Sequence, residues 1–413
     1  MSTTDRSTFT PTSNPRALAL ALAAFGVSFY AWALLGPLGP DLQKQLGLSD
    51  FELLVTIAVP VVLGSLMRIP LGILTDRHGG RKVFTALMAF TPIPLIGLAL
   101  FNDSWGAVLF FGFLLGFAGA SFAVGVPFVN KWYAPERQGA ALGIYGMGMG
   151  GTVLGAMTAP KIVDATSLDV PFWIAAGLMA VMAVVFWTFA EDAPGSASHA
   201  HGSMLAPLAV FKGPGASRAW ALTLFYFMAF GGFVAMFLFL PKMLTGVHDL
   251  SKPDAGYRAA GFAAFAVLGR PLGGWLSDRI GAATVLKISF AGTFVLALAL
   301  AGTYKEMVPL TIACLSMAMC LGLGTGAVFK LVPTWFPDKV GAVTGVVGAA
   351  GGLGGFFPPI VMGIVKSSTG GYGLGFILMA VVASLAFLVL VASGRSAPAA
   401  EAVTEPEREL VAS

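Results

Sequence analysis

The chain has 413 residues, 57% of them hydrophobic and only 11% charged, against about 25% charged in ordinary soluble domains. A mean hydropathy of +0.84 leaves no room for a large soluble domain. A net charge of +4 without a basic stripe excludes a nucleic-acid-binding protein.

A bilayer core of about 30 Å takes roughly 20 apolar residues per helix. Runs of that size fall at 17–37, 51–74, 83–101, 105–129, 139–160, 170–190, 218–244, 255–277, 284–303, 307–330, 341–365 and 371–393. They predict an all-α membrane protein with twelve transmembrane helices. The first run is long enough to span and lacks a small-residue cleavage site, so it reads as a span and not a signal peptide. The longest break holds Glu191, Asp192, Pro194, His199, His201 and Pro214. The expected organisation is a tail at 1–16, a six-helix bundle at 17–190, a linker at 191–217, a second six-helix bundle at 218–393 and a tail at 394–413. Both tails are polar and expected to be disordered. Cys314 and Cys320 lie in one apolar run, so no disulfide, metal site or cofactor is expected.

An even number of spans puts both termini on one side. If that side is cytoplasmic, the inner segments hold 15 of the 24 lysines and arginines and the outer ones 7. The positive-inside rule favours this orientation. The two left over are Arg68 and Arg270, each inside an apolar run.

The two arginines belong to a repeat. Arg68 is followed by Ile69, Pro70, Leu71 and Gly72 and, eight residues on, by Asp76 and Arg77. Arg270 is followed by Pro271, Leu272, Gly273 and Gly274 and, again eight residues on, by Asp278 and Arg279. The offset is 202 residues, and the same offset relates a second pair of segments, Pro135 to Gly146 and Pro337 to Gly348. Spans two and eight therefore correspond, as do five and eleven. Parallel repeats of this kind place the site at the interface between the halves.

Eight helical residues separate each arginine from its aspartate, about 12 Å, close to the midplane. A charge there costs at least about 2.5–3.5 kcal/mol, and such residues usually face a cavity on a substrate path. The bland alternative is pairing with a buried carboxylate. All 20 Asp and Glu residues fall in loops, tails or helix ends, so the natural counter-ion is a bound anion. Glycines recur at three- and four-residue steps in span five (Gly143, Gly146, Gly150) and span eleven (Gly345, Gly348, Gly352), a pattern that lets backbones touch. Most of them are expected to serve packing and sliding, with anion contact confined to Gly146, Gly148 and Gly150 and to Gly348, Gly351 and Gly352. Tyr226 and Phe230 lie four apart on one face of span seven. Lys330, closing span ten, is expected to reach the cytoplasmic surface or, alternatively, to attract anions to the inner mouth.

The loop from Gly72 to Lys82 resembles the signature of the major facilitator superfamily between its second and third helices, and Gly274 to Gly281 is a degenerate copy. Within that superfamily the chain is similar to the nitrate/nitrite porter family. The arginines of spans two and eight, the glycines from Gly143 to Gly151, and the stretch from Gly326 to Pro333 with Gly341 to Pro358 carry the likeness. The resemblance implies a transporter working by alternating access, not an enzyme. It implies a cytoplasmic gate in which Asp76, Arg77, Arg81, Asp278 and Arg279 pair across helix ends. It also implies that the rings of Phe122, Tyr226 and Phe230 sandwich the flat anion, with the Tyr226 hydroxyl donating to it. The family's span-five motif often includes an asparagine that helps bind substrate, and the matching position here is Gly150.

Nitrate and nitrite suit paired guanidinium donors, because both are flat, weakly hydrated and unprotonated at neutral pH. Exchange of the two anions is favoured, since no intramembrane Asp, Glu or His is visible for protons. Proton-coupled nitrate uptake stays open, as do an organic carboxylate substrate and a membrane sensor that binds without transport. The expected setting is the bacterial inner membrane, with the protein acting as a monomer.

Overall fold

The computed structural model describes residues 13–194, 206–213 and 215–395. The expected tail residues 1–12 and 396–413, together with His199, His201 and Pro214 of the linker, lie outside the described residues. Eleven helices there are long and apolar enough to cross a membrane. They are α1 (Pro15–Trp32), α2 (Phe51–His78), α3 (Gly80–Leu100), α4 (Trp105–Asn130), α5 (Pro135–Ala165), α6 (Val170–Phe189), α7 (Ala216–Val247), α8 (Asp254–Ile280), α9 (Ala282–Thr303), α10 (Met307–Trp335) and, last in the chain, α12 (Gly373–Ser393). Between the last two runs α11 (Val340–Thr369), a 30-residue helix at the predicted eleventh span.

Local chemistry repeats with the arginines. Ser49 caps α2 by accepting from the Glu52 amide, and Ser251, 202 residues on, caps the helix carrying α8 by accepting from Asp254. At the other ends Gly79 (φ 86°) and Gly281 (φ 84°) turn the chain into α3 and α9. Positive φ is cheap only for glycine, so the same turn recurs at the same repeat position.

Packing follows the duplication. Helix α2 lies on α4, and α8 on α10; α3 lies on α6, and α9 on α12. The halves meet mainly where α2 packs on α11 and α5 on α8. At these seams the backbones touch: a Cβ on Gly72 would run into the Gly341 carbonyl, and one on Gly274 into the Gly139 carbonyl. Apolar side chains on the outside, Leu66, Val184, Ile312 and Leu388 among them, are more than half exposed. In a membrane that surface faces lipid, which is as apolar as the core.

Two helices depart from α geometry at the level of the arginines. Met147–Met149 of α5 tighten into a 3-10 turn within the glycine run, and Phe227–Gly231 of α7 widen into a π turn. Such irregular turns occur often at functional sites.

Candidate functional site

Arg68 projects from α2 and Arg270 from α8, both only 3% exposed. Each donates to a backbone carbonyl of the opposite half: Arg68 Nη1 to Gly348 on α11, and Arg270 Nη1 to Gly146 on α5 at 3.1 Å. Gly146 and Gly348 are themselves 202 residues apart, so the crossed pair obeys the internal symmetry. A Cβ on either glycine would lie 3.2 Å from the arginine's Cδ and crowd the guanidinium stem. Arg68 Nε also donates to the Gly119 carbonyl of α4 at 3.2 Å. Arg270 Nη2 instead meets the Met149 sulfur at 3.3 Å. Among the described residues neither arginine has a carboxylate within ion-pair distance. Carbonyl acceptors therefore offset part of the cost of burying the charge and leave it un-neutralised.

Aromatic rings line the space between the halves. Tyr226 and Phe230 stack with centroids 5.0 Å apart and planes 2° off parallel, held in register by the π turn. The Phe122 ring of α4 is parallel to Tyr226 at 6.2 Å. Phe230 lies under both guanidinium groups, with its centroid 5.9 Å from Arg68 Cζ and 5.4 Å from Arg270 Cζ. A single ring thus touches both charges, and its negative face stabilises them. The Tyr226 hydroxyl faces Arg270.

The structure brings Arg68, Arg270, Phe122, Tyr226, Phe230, Gly146, Gly348, Gly351 and Gly352 to one place. Gly351 packs beneath Tyr226 and Phe230, and Gly352 beside Ser65 and Arg68. Gly148 is placed differently, with its Cβ direction aimed at Phe25 of α1. Gly150 faces open space, where an added Cβ would touch only Val267, at 4.0 Å.

Three site residues escaped the sequence reading. Phe329 of α10 stands edge-on to Phe122 (4.6 Å) and Tyr226 (4.7 Å), closing the ring cluster. Tyr145 stacks on Phe25 and Phe122 and donates to the Ser121 carbonyl at 3.1 Å. Met149 is the third. A Phe among 33 carries no signal of its own. Tyr145 and Met149 have no chemical counterpart 202 residues on, where Val347 and Gly351 stand.

At the helix ends both aspartates bond to backbone amides of the other half. Asp76 accepts from the Gly341 and Ala342 amides at 3.1 and 3.0 Å, at the start of α11. Asp278 accepts from the Gly139 and Ala140 amides at 2.9 and 2.7 Å, near the start of α5. Each carboxylate thus sits on the N-terminal end of a helix in the other half, where free amides and the helix dipole favour negative charge. Arg81 instead lies over the Trp187 ring and donates to the Trp187 carbonyl, while its amide donates to Asp192. Arg279 lies over the Trp275 ring, 4.0 Å from its centroid. Arg77 is half-buried in the last turn of α2. Lys131, beyond the end of α4, lies near Asp76 and Asp192; burial lowers its pKa and the two carboxylates oppose that.

Lys330 departs from expectation. Its ammonium forms an ion pair with Asp278 at 2.7 Å and donates to the Pro135 carbonyl of the other half. The expected route to the surface fails because a nearer carboxylate is available on α8, in the same half.

The family model of the Major Facilitator Superfamily matches residues 20–329 and 243–412. Over 373 residues the chain is 42% identical to a probable nitrate/nitrite transporter, NarK2, of Mycobacterium tuberculosis, spanning 89% of this chain and 94% of that protein. The chain belongs to the nitrate/nitrite porter family of the major facilitator superfamily. It is also 36% identical over 378 residues to a nitrite extrusion protein of Bacillus subtilis, covering 91% of this chain and 93% of that one. Among solved structures, the human organic anion transporter MFSD10 superposes with a TM-score of 0.76 over 91% of this chain and 99% of its own, at 17% identity. FucP in its outward conformation gives 0.72 over 92% and 99%, at 18% identity. These two likenesses establish the fold. The protein is therefore a multi-pass membrane transporter of this family and not an enzyme.

Proposed function

We propose that the protein carries nitrate and nitrite across the bacterial inner membrane by alternating access, as a monomer with both termini in the cytoplasm. The anion lies between Arg68 and Arg270, against the rings of Phe122, Tyr226 and Phe230. One observation supports this above others: two buried guanidinium groups share one aromatic ring and have no carboxylate partner among the described residues. A flat anion accepts parallel bonds from a guanidinium fork, and aromatic faces can cover it above and below. The names of the relatives point to the same two anions.

Two positive charges against one monovalent anion leave an excess when the site is empty. That excess disfavours reorientation of the unloaded carrier, so exchange of nitrate for nitrite is the proposed mode, with proton-coupled nitrate uptake as its competitor. During the cycle the glycine seams open and close, while Asp76 and Asp278 release and regain their helix ends.

Counterflow in liposomes tests the whole reading. Protein is reconstituted with nitrite inside and labelled nitrate outside, with and without a proton gradient. Uptake that requires internal nitrite is expected. Uptake driven by the gradient alone would replace exchange by symport. Failure of either anion to move, with formate or oxalate moving instead, would overturn the substrate.

A further inference from the structure

The two arginines obey the repeat in one bond and break it in the other. Both donate Nη1 to the equivalent glycine carbonyl. Arg68 places its second described bond on another carbonyl, that of Gly119. Arg270 Nη2 meets the thioether of Met149, a residue 3% exposed, and the Tyr226 hydroxyl also accepts from this guanidinium. The position 202 residues beyond Met149 is Gly351, so the asymmetry is written in the sequence.

A carbonyl oxygen is a strong acceptor and a thioether sulfur a weak one. A buried guanidinium N–H on a weak acceptor has lost its water without full replacement. An oxyanion reaching Arg270 Nη2 therefore gains a charge-assisted bond at little loss. At Arg68 Nη1 or Nε it would have to displace a carbonyl acceptor. Methionine also suits displacement, because it is unbranched and changes rotamer readily.

We infer that Met149 is a placeholder acceptor that keeps the Arg270 Nη2 donor available, and that the transported anion displaces it. Arg270 Nη2 is then a receiving donor for the anion, and Met149 sets the affinity there. The inference rests on the proposal that an anion binds between the arginines.

The test uses full-length protein in liposomes with nitrate and nitrite as probes. Met149→Gln supplies a strong amide acceptor at similar reach and locks Arg270. It is expected to raise KM for nitrate at least about tenfold, with the maximal rate changed less than about threefold. Met149→Leu keeps the volume and removes the acceptor, and is expected to lower KM about threefold. Opposite shifts are the signature, since a residue that only packs gives shifts of one sign. KM raised alike in both variants, or unchanged in Met149→Gln, overturns the inference. Should Met149→Gln not fold, Met149→Leu decides alone: a lowered KM supports the inference and an equal or raised KM overturns it. Wild-type protein that moves neither anion overturns the functional proposal itself, and this inference with it.

Discussion

At the scale of single residues, the site is built from two charges that the protein leaves without counter-charge. Arg68 and Arg270 are fixed by carbonyl bonds that cross between the halves, so each reports on the position of the opposite half as well as on the ligand. Lysine at either position keeps the charge but loses the planar fork. A hydrogen bond to a charged group is worth about 1.5–3 kcal/mol. Arg68→Lys and Arg270→Lys are each expected to lower nitrate exchange in liposomes by about tenfold or more; wild-type rates would rule out recognition by the fork. The arginines, their depth and the lack of carboxylates near them were legible in the sequence, because apolar runs and charge are one-dimensional properties. The acceptors were not. Gly119, Gly146 and Gly348 contribute carbonyls, which every residue possesses and no composition reveals. The ring partners were legible only as far as Tyr226 and Phe230, which a four-residue step places together; Phe329 and Tyr145 reach the cluster from other helices.

At the scale of helices, glycine decides how close the halves come. Gly341 shows the constraint: an added Cβ would meet the Gly72 carbonyl and lie 2.7 Å from the Asp76 carboxylate. Neither neighbour can yield without opening the seam. Overpacking of this kind costs about 1–3 kcal/mol, so Gly341→Ala is expected to slow exchange about tenfold and to increase labelling of cysteines introduced along the seam. Gly150 is the contrast within the same kind of run. Its Cβ direction is open, and Gly150→Ala is expected to keep the exchange rate within about twofold. Equal damage from both substitutions would mean that backbone flexibility, and not close approach, is what these glycines provide. The gate follows the same logic. Sequence spacing placed Asp76 and Asp278 at helix ends, and the expectation of arginine partners came from the family resemblance. The structure gives them helix N-termini: amides left free in the first turn of α11 and at the start of α5 bond to the two carboxylates. Lys330 pairs with Asp278, while Lys131 lies near Asp76 at the other gate. Lys330→Met, which keeps the length and removes the charge, is expected to weaken the Asp278 seam and leave the Asp76 seam intact. Cysteine accessibility measured separately at each seam checks this.

At the scale of the whole molecule, the ligand site is also the joint between two rigid bundles. An anion that bridges α2 and α8 binds the folded protein alone, and at 100 times its Kd adds about 2.7 kcal/mol of apparent stability. Nitrate and nitrite are expected to raise the thermal unfolding temperature of the detergent-purified protein by a few degrees, and Arg270→Lys to blunt that rise. The same rise with chloride or sulfate would mean screening of the buried charges and not recognition. The sequence by itself determined the class of molecule, the number and register of the helices, the duplication and the depth of both arginines. These follow from hydropathy, periodicity and spacing, which are properties of the chain in order. Only the tertiary structure decided which atoms hold the charges, which rings gather around them, and that Asp278 takes Lys330 while Lys131 lies near Asp76. Those facts depend on contacts between helices up to 280 residues apart, as in the Arg68–Gly348 bond, and linear spacing carries no information about which faces meet. The two opening arginines looked equivalent in the sequence; packing gave Arg68 a second carbonyl and Arg270 a methionine sulfur beside the Tyr226 hydroxyl.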